Sequence, residues 1–290
     1  MTEAKNPEAN LRDYSDVEYV FEPHDNSMPN AREYFQSIWD RRDFIKANAR
    51  AELQSPHSGT ILGQAWQVVD PLFQALIYWF LFTAIRGKSS ASFFLIVVSG
   101  VFFFNFTMVA LGEGGRSIQR SKGLVLNSTF PLATLPISVI YRGFLQFLPT
   151  IGVYALFHLA FGGAIGPGLL MLPFLLILQI LISTGLSLVF ATLTVYVADM
   201  SNLLNYVLRV LLFITPVIYP VAQLQKAPAA IQAFLYLNPF FALFSAYQYV
   251  FTGLVPTLSQ IVQILFWAVF WPIVGFRFFV SRERGFAMRL

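Results

Sequence analysis

The sequence has no cysteine, so disulfide frameworks, thiolate metal sites and cysteine nucleophiles are excluded. Histidine is nearly missing as well: His24, His57 and His158 are scattered along the chain and have no metal-ligand spacing. Charged residues make up only 12% of the 290, against about 25% in an ordinary soluble domain. Acids are scarcest of all, and beyond Asp70 only Glu113, Asp199 and Glu283 remain. Such a chain lacks the paired carboxylates that metal-dependent glycosyl or prenyl transfer needs. A Gly-x-Ser-x-Gly elbow is missing too. Gly87-Lys88-Ser89 has the form of the end of a phosphate loop, but Phe82 stands where the leading glycine belongs. The first 30 residues are acidic and polar, unlike a basic-then-apolar signal peptide, so insertion is expected to start from an internal segment.

What is present is apolar surface. Hydrophobic residues reach 56%, phenylalanine alone numbers 31, and the mean hydropathy is +0.61. Several stretches have the roughly 20 apolar residues that cross a bilayer, which predicts an all-α, polytopic membrane protein. The formal charge of +4 hides an asymmetry. Residues 1–30 carry two basic and seven acidic side chains, net −5, so the remaining 260 residues carry +9. In a membrane protein that basic excess reports lysine and arginine retained on the cytoplasmic side, and no nucleic-acid partner is expected.

Three regions follow. Residues 1–30 read as a cytosolic acidic tail. Asn30 and Glu33 have capping-box spacing, and residues 31–56 read as one amphipathic helix ended by Pro56-His57-Ser58-Gly59. Phe35, Ile38, Ile45, Ala49 and Leu53 line one face of it, while Arg41, Arg42, Lys46 and Arg50 lie mostly on the other. That pattern predicts a helix lying in the membrane interface. Residues 57–290 read as a transmembrane domain of six spans, about 66–85, 93–111, 137–161, 169–197, 203–219 and 258–276. Residues 112–135 form a charged cytoplasmic loop with some helix. Residues 220–257, broken at Asn238-Pro239 into two short apolar pieces, form a re-entrant hairpin on the outer side. With six crossings and both ends in the cytoplasm, 16 of the 19 Lys and Arg residues face inward, and only Arg86, Lys88 and Lys226 lie outside. No internal repeat and no mid-membrane acid point to ion-coupled transport.

This order of features resembles the ABC-2 type membrane subunit, and within it the polysaccharide-export branch. The matching stretches are Leu62-Gly63-Gln64-Ala65-Trp66 with Asp70-Pro71-Leu72; Asn127 to Phe130-Pro131 with Leu135-Pro136; Thr215-Pro216-Val217-Ile218-Tyr219-Pro220; and Leu237-Asn238-Pro239-Phe240. They extend over about residues 31–255. The chain departs from the family pattern at Ala198, at Asn127 to Thr129, and at Ser245 and Gln248, where charged residues are common in relatives. The acidic leader and overall pattern look most like the galactan exporters of the actinobacterial cell wall.

The resemblance implies a homodimer in the bacterial inner membrane, with two separate ATP-binding cassette subunits docked beneath it and a polyprenyl-linked polysaccharide as substrate. ATP and magnesium would belong to those partners, with no cofactor and no catalytic residue on this chain. Glu113, Arg116, Arg120 and Lys122 fall in the loop expected to take the ATPase stroke. Arg41, Arg42, Lys46 and Arg50 would hold anionic lipid headgroups, at about 1 kcal/mol each. Thr215, Pro216, Tyr219, Asn238 and Pro239 are where backbone leaves helical geometry, and are the expected outer gate. Phe103, Phe106, Tyr141, Tyr206 and Phe213 are candidates for a polymer-tolerant aromatic path. The alternatives are an ABC-2 drug or lipid exporter, an ATP-independent carrier and, more remotely, a membrane-bound transferase.

Overall fold

A computed structural model describes residues 30–54, 61–87, 90–127, 130–226 and 228–290. The acidic leader, the Pro56–Gly59 breaker and Lys88 and Ser89 fall outside those residues. Among the described residues every regular element is a helix. Five helical segments are long and apolar enough to cross a membrane: Gly63–Ile85, Ala91–Arg120, Thr134–Ala160, Pro167–Tyr196 and Leu258–Glu283.

The first two helices are α1 (Ala31–Asp40) and α2 (Arg42–Gln54). The Asn30 side chain caps α1 by accepting from the Arg32 amide at 3.2 Å, and also reaches Glu33. The single helix expected over 31–56 is interrupted at Arg41, whose φ of −97° and ψ of 15° leave the α basin. The buried face nevertheless continues across this one-residue step. Tyr34 and Ile38 are buried from α1, and Ile45 and Ala49 from α2. Phe35, assigned to the apolar face from periodicity, is 56% exposed and stacks on Phe276 at 4.6 Å.

Helix α3 (Trp66–Arg86) runs unbroken through Pro71 and ends at Gly87, whose φ of +64° suits a residue without Cβ. Helix α4 (Ala91–Gly112), capped by Ser90, is the centre of the bundle. In its most apolar window 78% of residues are buried, against 11% for α3, which lies at the edge. The expected loop over 112–135 is largely helical. A 3-10 turn at Gly114–Arg116 leads into α5 (Ser117–Arg120) and α6 (Lys122–Asn127).

Helices α7 (Thr134–Ala160) and α8 (Leu172–Tyr196) complete the inner layer, a 3-10 turn at Pro167–Met171 leading into α8. Gln179 on α8 donates to the Phe103 carbonyl at 2.8 Å and to Thr107 Oγ1 at 2.9 Å, and accepts from Tyr247 at 2.9 Å. That knot pins three elements in a region where an unpaired amide would be costly. Helix α9 (Met200–Ile214) has only 15 residues, about 22 Å of rise, and the chain leaves helical geometry at Thr215. The helical part of the expected 203–219 span is therefore too short by itself to cross a core of about 30 Å.

Helix α10 (Ala229–Tyr236) and α11 (Pro239–Phe251) meet at Leu237 and Asn238. Asn238 caps α11, and Pro239 occupies its first turn, where its missing N–H costs nothing. Rather than skimming an interface, α11 is buried over most of its length. Helix α12 (Leu258–Glu283) starts in a capping box between Thr257 and Gln260, and the short α13 (Phe286–Arg289) follows. Helices α8 and α12 approach at a small-residue seam. A Cβ on Gly185 would be driven into the Trp271–Pro272 backbone, and one on Gly275 into the backbone of Gly185.

Candidate functional site

The charged residues gather at one end of the bundle, where α1 and α2 pack against α7 and the last turns of α12. Arg142 on α7 is 6% exposed, so its guanidinium must be paired. Its Nη1 donates to Glu52 on α2 at 2.9 Å, and its Nη2 contacts Glu113 just past α4. Glu113 also accepts from Arg120 of α5 at 3.2 Å. Two carboxylates and two guanidinium groups thus form a neutral quartet. Asn48 braces it from α2, donating to Ser138 at 2.9 Å and to Glu52 at 3.1 Å. The quartet ties the interface helices to the charged segment through α7.

Arg116, four residues from Arg120, faces the other way. Its Nη2 donates to the Ser201 carbonyl and to Asn205 Oδ1, both at 2.6 Å, while Nη1 reaches the Gly112 carbonyl at 3.1 Å. A guanidinium against the last carbonyl of α4 also suits the negative end of that helix dipole. Gln119 donates to the Thr194 carbonyl and accepts from Ser201, both at 2.6 Å. Residues 113–120 are therefore clamped between α7 on one side and the α8–α9 junction on the other. Lys122 donates to the Leu290 carbonyl. Of the sequence-predicted coupling residues, the structure brings Glu113 and Arg120 together and holds Arg116 and Lys122 apart from them.

Arg41, Arg42, Lys46 and Arg50 are all exposed on α1 and α2. Arg41 lies 5.5 Å from the Phe130 ring centroid, and Arg42 5.7 Å from that of Trp39. A second joint binds the same helices to the chain's last span. Glu283 accepts from the Tyr34 hydroxyl at 2.6 Å and from the Leu132 amide. Burial, and then the neighbouring Glu283 carboxylate, push the Tyr34 phenol well above its ordinary value.

Two clefts of about 220 Å³ each meet at Glu113. One lies within the quartet, among Asn48, Ser117, Ser138 and Arg142. The other runs along α3, α4 and α7 and is lined by Gln67, Asp70, Gln74, Asn105 and Gln146. Amides and a carboxylate in otherwise apolar spans belong against protein or water, not lipid.

At the opposite end, the two proline breaks are joined. Asn238 Nδ2 donates to Thr215 Oγ1 at 2.8 Å and approaches the Ile214 carbonyl. Gln248 of α11 donates to the carbonyls of Pro216 at 2.7 Å and Tyr219 at 2.9 Å, and accepts from the Val221 amide at 2.8 Å. Backbone freed by the break is thus satisfied by one side chain. Tyr219 donates to the Phe213 carbonyl at 2.8 Å.

The aromatic path candidates divide. Phe103 and Phe106 are buried, Phe103 against Phe147, Tyr154 and Tyr247, and Phe106 against Phe147. Tyr141 is half-buried. Tyr206 and Phe213 are exposed along α9, beside Asn202, Asn205 and Arg209. Sequence reasoning missed Arg142, Glu52, Glu283, Gln179 and Gln248 as bracing residues. Arg142 did carry a signal, as an isolated arginine inside an apolar run. Among the described residues, no three His, Cys, Asp or Glu side chains are grouped to hold a metal ion.

The ABC-2 type transporter family model matches residues 44–252, which takes in the quartet, the polar cleft and both proline breaks. The chain belongs to the ABC-2 type transporter family. It is similar to the O-antigen export system permease protein RfbA of Myxococcus xanthus, at 24% identity over 216 residues, 74% of this chain and 83% of that protein. A Klebsiella pneumoniae protein of the same description is 21% identical over 248 residues, covering 84% of this chain and 94% of its own. The resemblance drawn from the four proline and glycine stretches therefore holds for the polysaccharide-export branch of ABC-2 permeases.

Proposed function

We propose that this chain is the membrane-spanning subunit of an ATP-binding-cassette exporter that carries a lipid-linked polysaccharide, galactan or an O-antigen-like polymer, out across the bacterial inner membrane. Two copies pair, and two separate ATP-binding subunits, which carry ATP and magnesium, dock against the charged end. Both chain ends face the cytoplasm, in keeping with the positive-inside bias. Helix α9 and the Thr215–Pro220 segment that follows it together complete a sixth crossing.

The observation that carries this reading is the position of Glu113, in the wall between the buried quartet and the polar cleft. A push on residues 113–120 from below reaches the cleft through one carboxylate. The cleft's amides suit hydroxyl-rich substrate, and its position at the membrane's inner half suits loading. Exposed Asp70 on α3 and Arg209 on α9 favour a second copy facing these helices, because a charge turned to lipid is costly. Tyr206 and Phe213 then lie at the seam or path between copies. Arg41, Arg42, Lys46 and Arg50 would hold the interface helices to anionic headgroups. The joined breaks at Thr215, Pro216, Tyr219, Asn238 and Pro239 form the outer gate.

Depleting the protein in its host tests the reading. Lipid-linked glycan should accumulate on the cytoplasmic side, and the tagged protein should co-purify with an ATP-binding subunit. Normal export of cell-surface glycan under depletion would overturn the polysaccharide assignment. Purification without any ATP-binding partner would favour the ATP-independent carrier.

A further inference from the structure

A cavity of about 340 Å³ lies at the opposite end of the bundle from the charged site. Its walls come from α10, one face of α11, the start of α12 and the 3-10 turn at Val221–Lys226. Helix α12 begins at this cavity and ends at Glu283 in the charged end, some 39 Å away at helical rise. The cavity therefore sits on the far side of the membrane. It also adjoins the outer break, since Val221, which lines it, donates its amide to Gln248.

Among the described residues its chemistry is uniform in one respect: no Asp, Glu, Lys or Arg lines it. Instead Tyr236 and Tyr249 offer rings, Ser245 and Thr257 hydroxyls, and Gln260 and Gln263 amides. Two of these are held in place. Gln263 Nε2 donates to the Tyr236 carbonyl at 2.8 Å, and Gln260 Oε1 accepts from the Thr257 amide at 2.9 Å. Gln263 Oε1 and Gln260 Nε2 make no hydrogen bond among the described residues, which leaves one acceptor and one donor at the cavity. A phosphate would need cations here, and a primary headgroup amine would need a carboxylate, whereas a quaternary ammonium could use the rings and is therefore made a comparator in the test. A neutral sugar needs what is present, because its hydroxyls both donate and accept and its C–H faces lie on aromatic rings. The volume falls at the small end for ligand pockets, about 300–1,000 Å³, and fits a sugar unit or two rather than a long stretch.

We propose that this cavity is a neutral-sugar subsite on the exit side, which holds the emerging chain by one or two uncharged units beside the outer gate. The proposal rests on the export reading for its source of sugar, and names a site that reading does not require. By retaining the leading units it would bias the polymer against sliding back while the gate resets.

The test uses the full chain in lipid nanodiscs and saturation-transfer NMR. The probes are methyl glycosides of galactose, glucose, mannose and rhamnose, with glucose 6-phosphate and phosphocholine as charged comparators. At least one neutral glycoside should take up saturation, and neither charged probe should compete with it. Gln263→Leu and, separately, Tyr249→Leu should each weaken that binding about fivefold, the worth of one neutral hydrogen bond or of one aromatic contact. Two different variants guard against misreading a local folding defect. Saturation of no neutral glycoside, or equal saturation in wild type and both variants, would overturn the subsite. Preferential binding of phosphocholine would also overturn it, by making the cavity a headgroup site. Depletion separates the two readings: glycan trapped inside with no sugar binding removes the subsite alone, and sugar binding with no trapped glycan removes the export assignment alone.

Discussion

The two ends of this bundle solve the same problem with different groups. At the charged end, Arg142, Glu52, Glu113 and Arg120 neutralise one another in a cleft whose carboxylates retain about a third of their exposure. At the outer break, Asn238, Gln248 and Thr215 use only neutral amides and a hydroxyl, and all three are buried. Charge is tolerated where water and a counter-charge are near, and buried backbone is satisfied by amides that carry no Born cost. The charged end is therefore the one that salt, pH and a docking partner can address. The outer break responds only to geometry.

The largest expected effect is at Arg142. Arg142→Leu takes the cation from Glu52 and leaves Glu113 with Arg120 alone, and should cost about 3 kcal/mol, the low end for a broken buried pair because both acids keep some water. Thermal unfolding in detergent at low and high salt would measure it, and the loss should shrink in salt. Gln248→Leu should cost about 2 kcal/mol by leaving two carbonyls and one amide unpaired, with no salt dependence. If both losses vary with salt alike, the contrast between the ends is wrong.

Arg116→Glu with Arg120→Glu sharpens the same contrast functionally. Reversing both charges should uncouple ATP hydrolysis from export in the reconstituted complex, whereas unchanged coupling and export would remove this segment from the mechanism. The smallest effect is at Tyr34→Phe, about 1 kcal/mol from one hydrogen bond to Glu283. Because the folded-state phenol is held neutral, its stabilisation is complete below the ordinary tyrosine value of about 10 and is lost as pH rises beyond it. Wild type should therefore lose more stability on going above pH 10 than Tyr34→Phe does, read by unfolding midpoints across that range.

Much of the fold was legible because its signals are local. Apolar runs of bilayer length, the Asn30 cap and the Asn238-Pro239 break each depend on neighbours in sequence. The interruption at Arg41 was not, since Asp40-Arg41-Arg42 holds neither glycine nor proline. Tyr34, not Phe35, is the buried ring, four residues before Ile38 on the same face. The pairing of Glu52 with Arg142 spans 90 residues, and no spacing rule reaches so far. Gln248 illustrates the other limit. In sequence it reads as a lost charge, and only the folded chain reveals it bridging Pro216, Tyr219 and Val221.

The most direct test is Glu113→Gln in the complex reconstituted with its ATP-binding subunit, with hydrolysis and export read together. Removing that negative charge weakens the grip on Arg142 and Arg120 at the wall of the polar cleft. Assembly and basal hydrolysis should persist while export per ATP falls about tenfold or more, in line with the loss of charge-assisted hydrogen bonds. Export per ATP equal to wild type would contradict the claim that the stroke reaches the substrate path through this carboxylate.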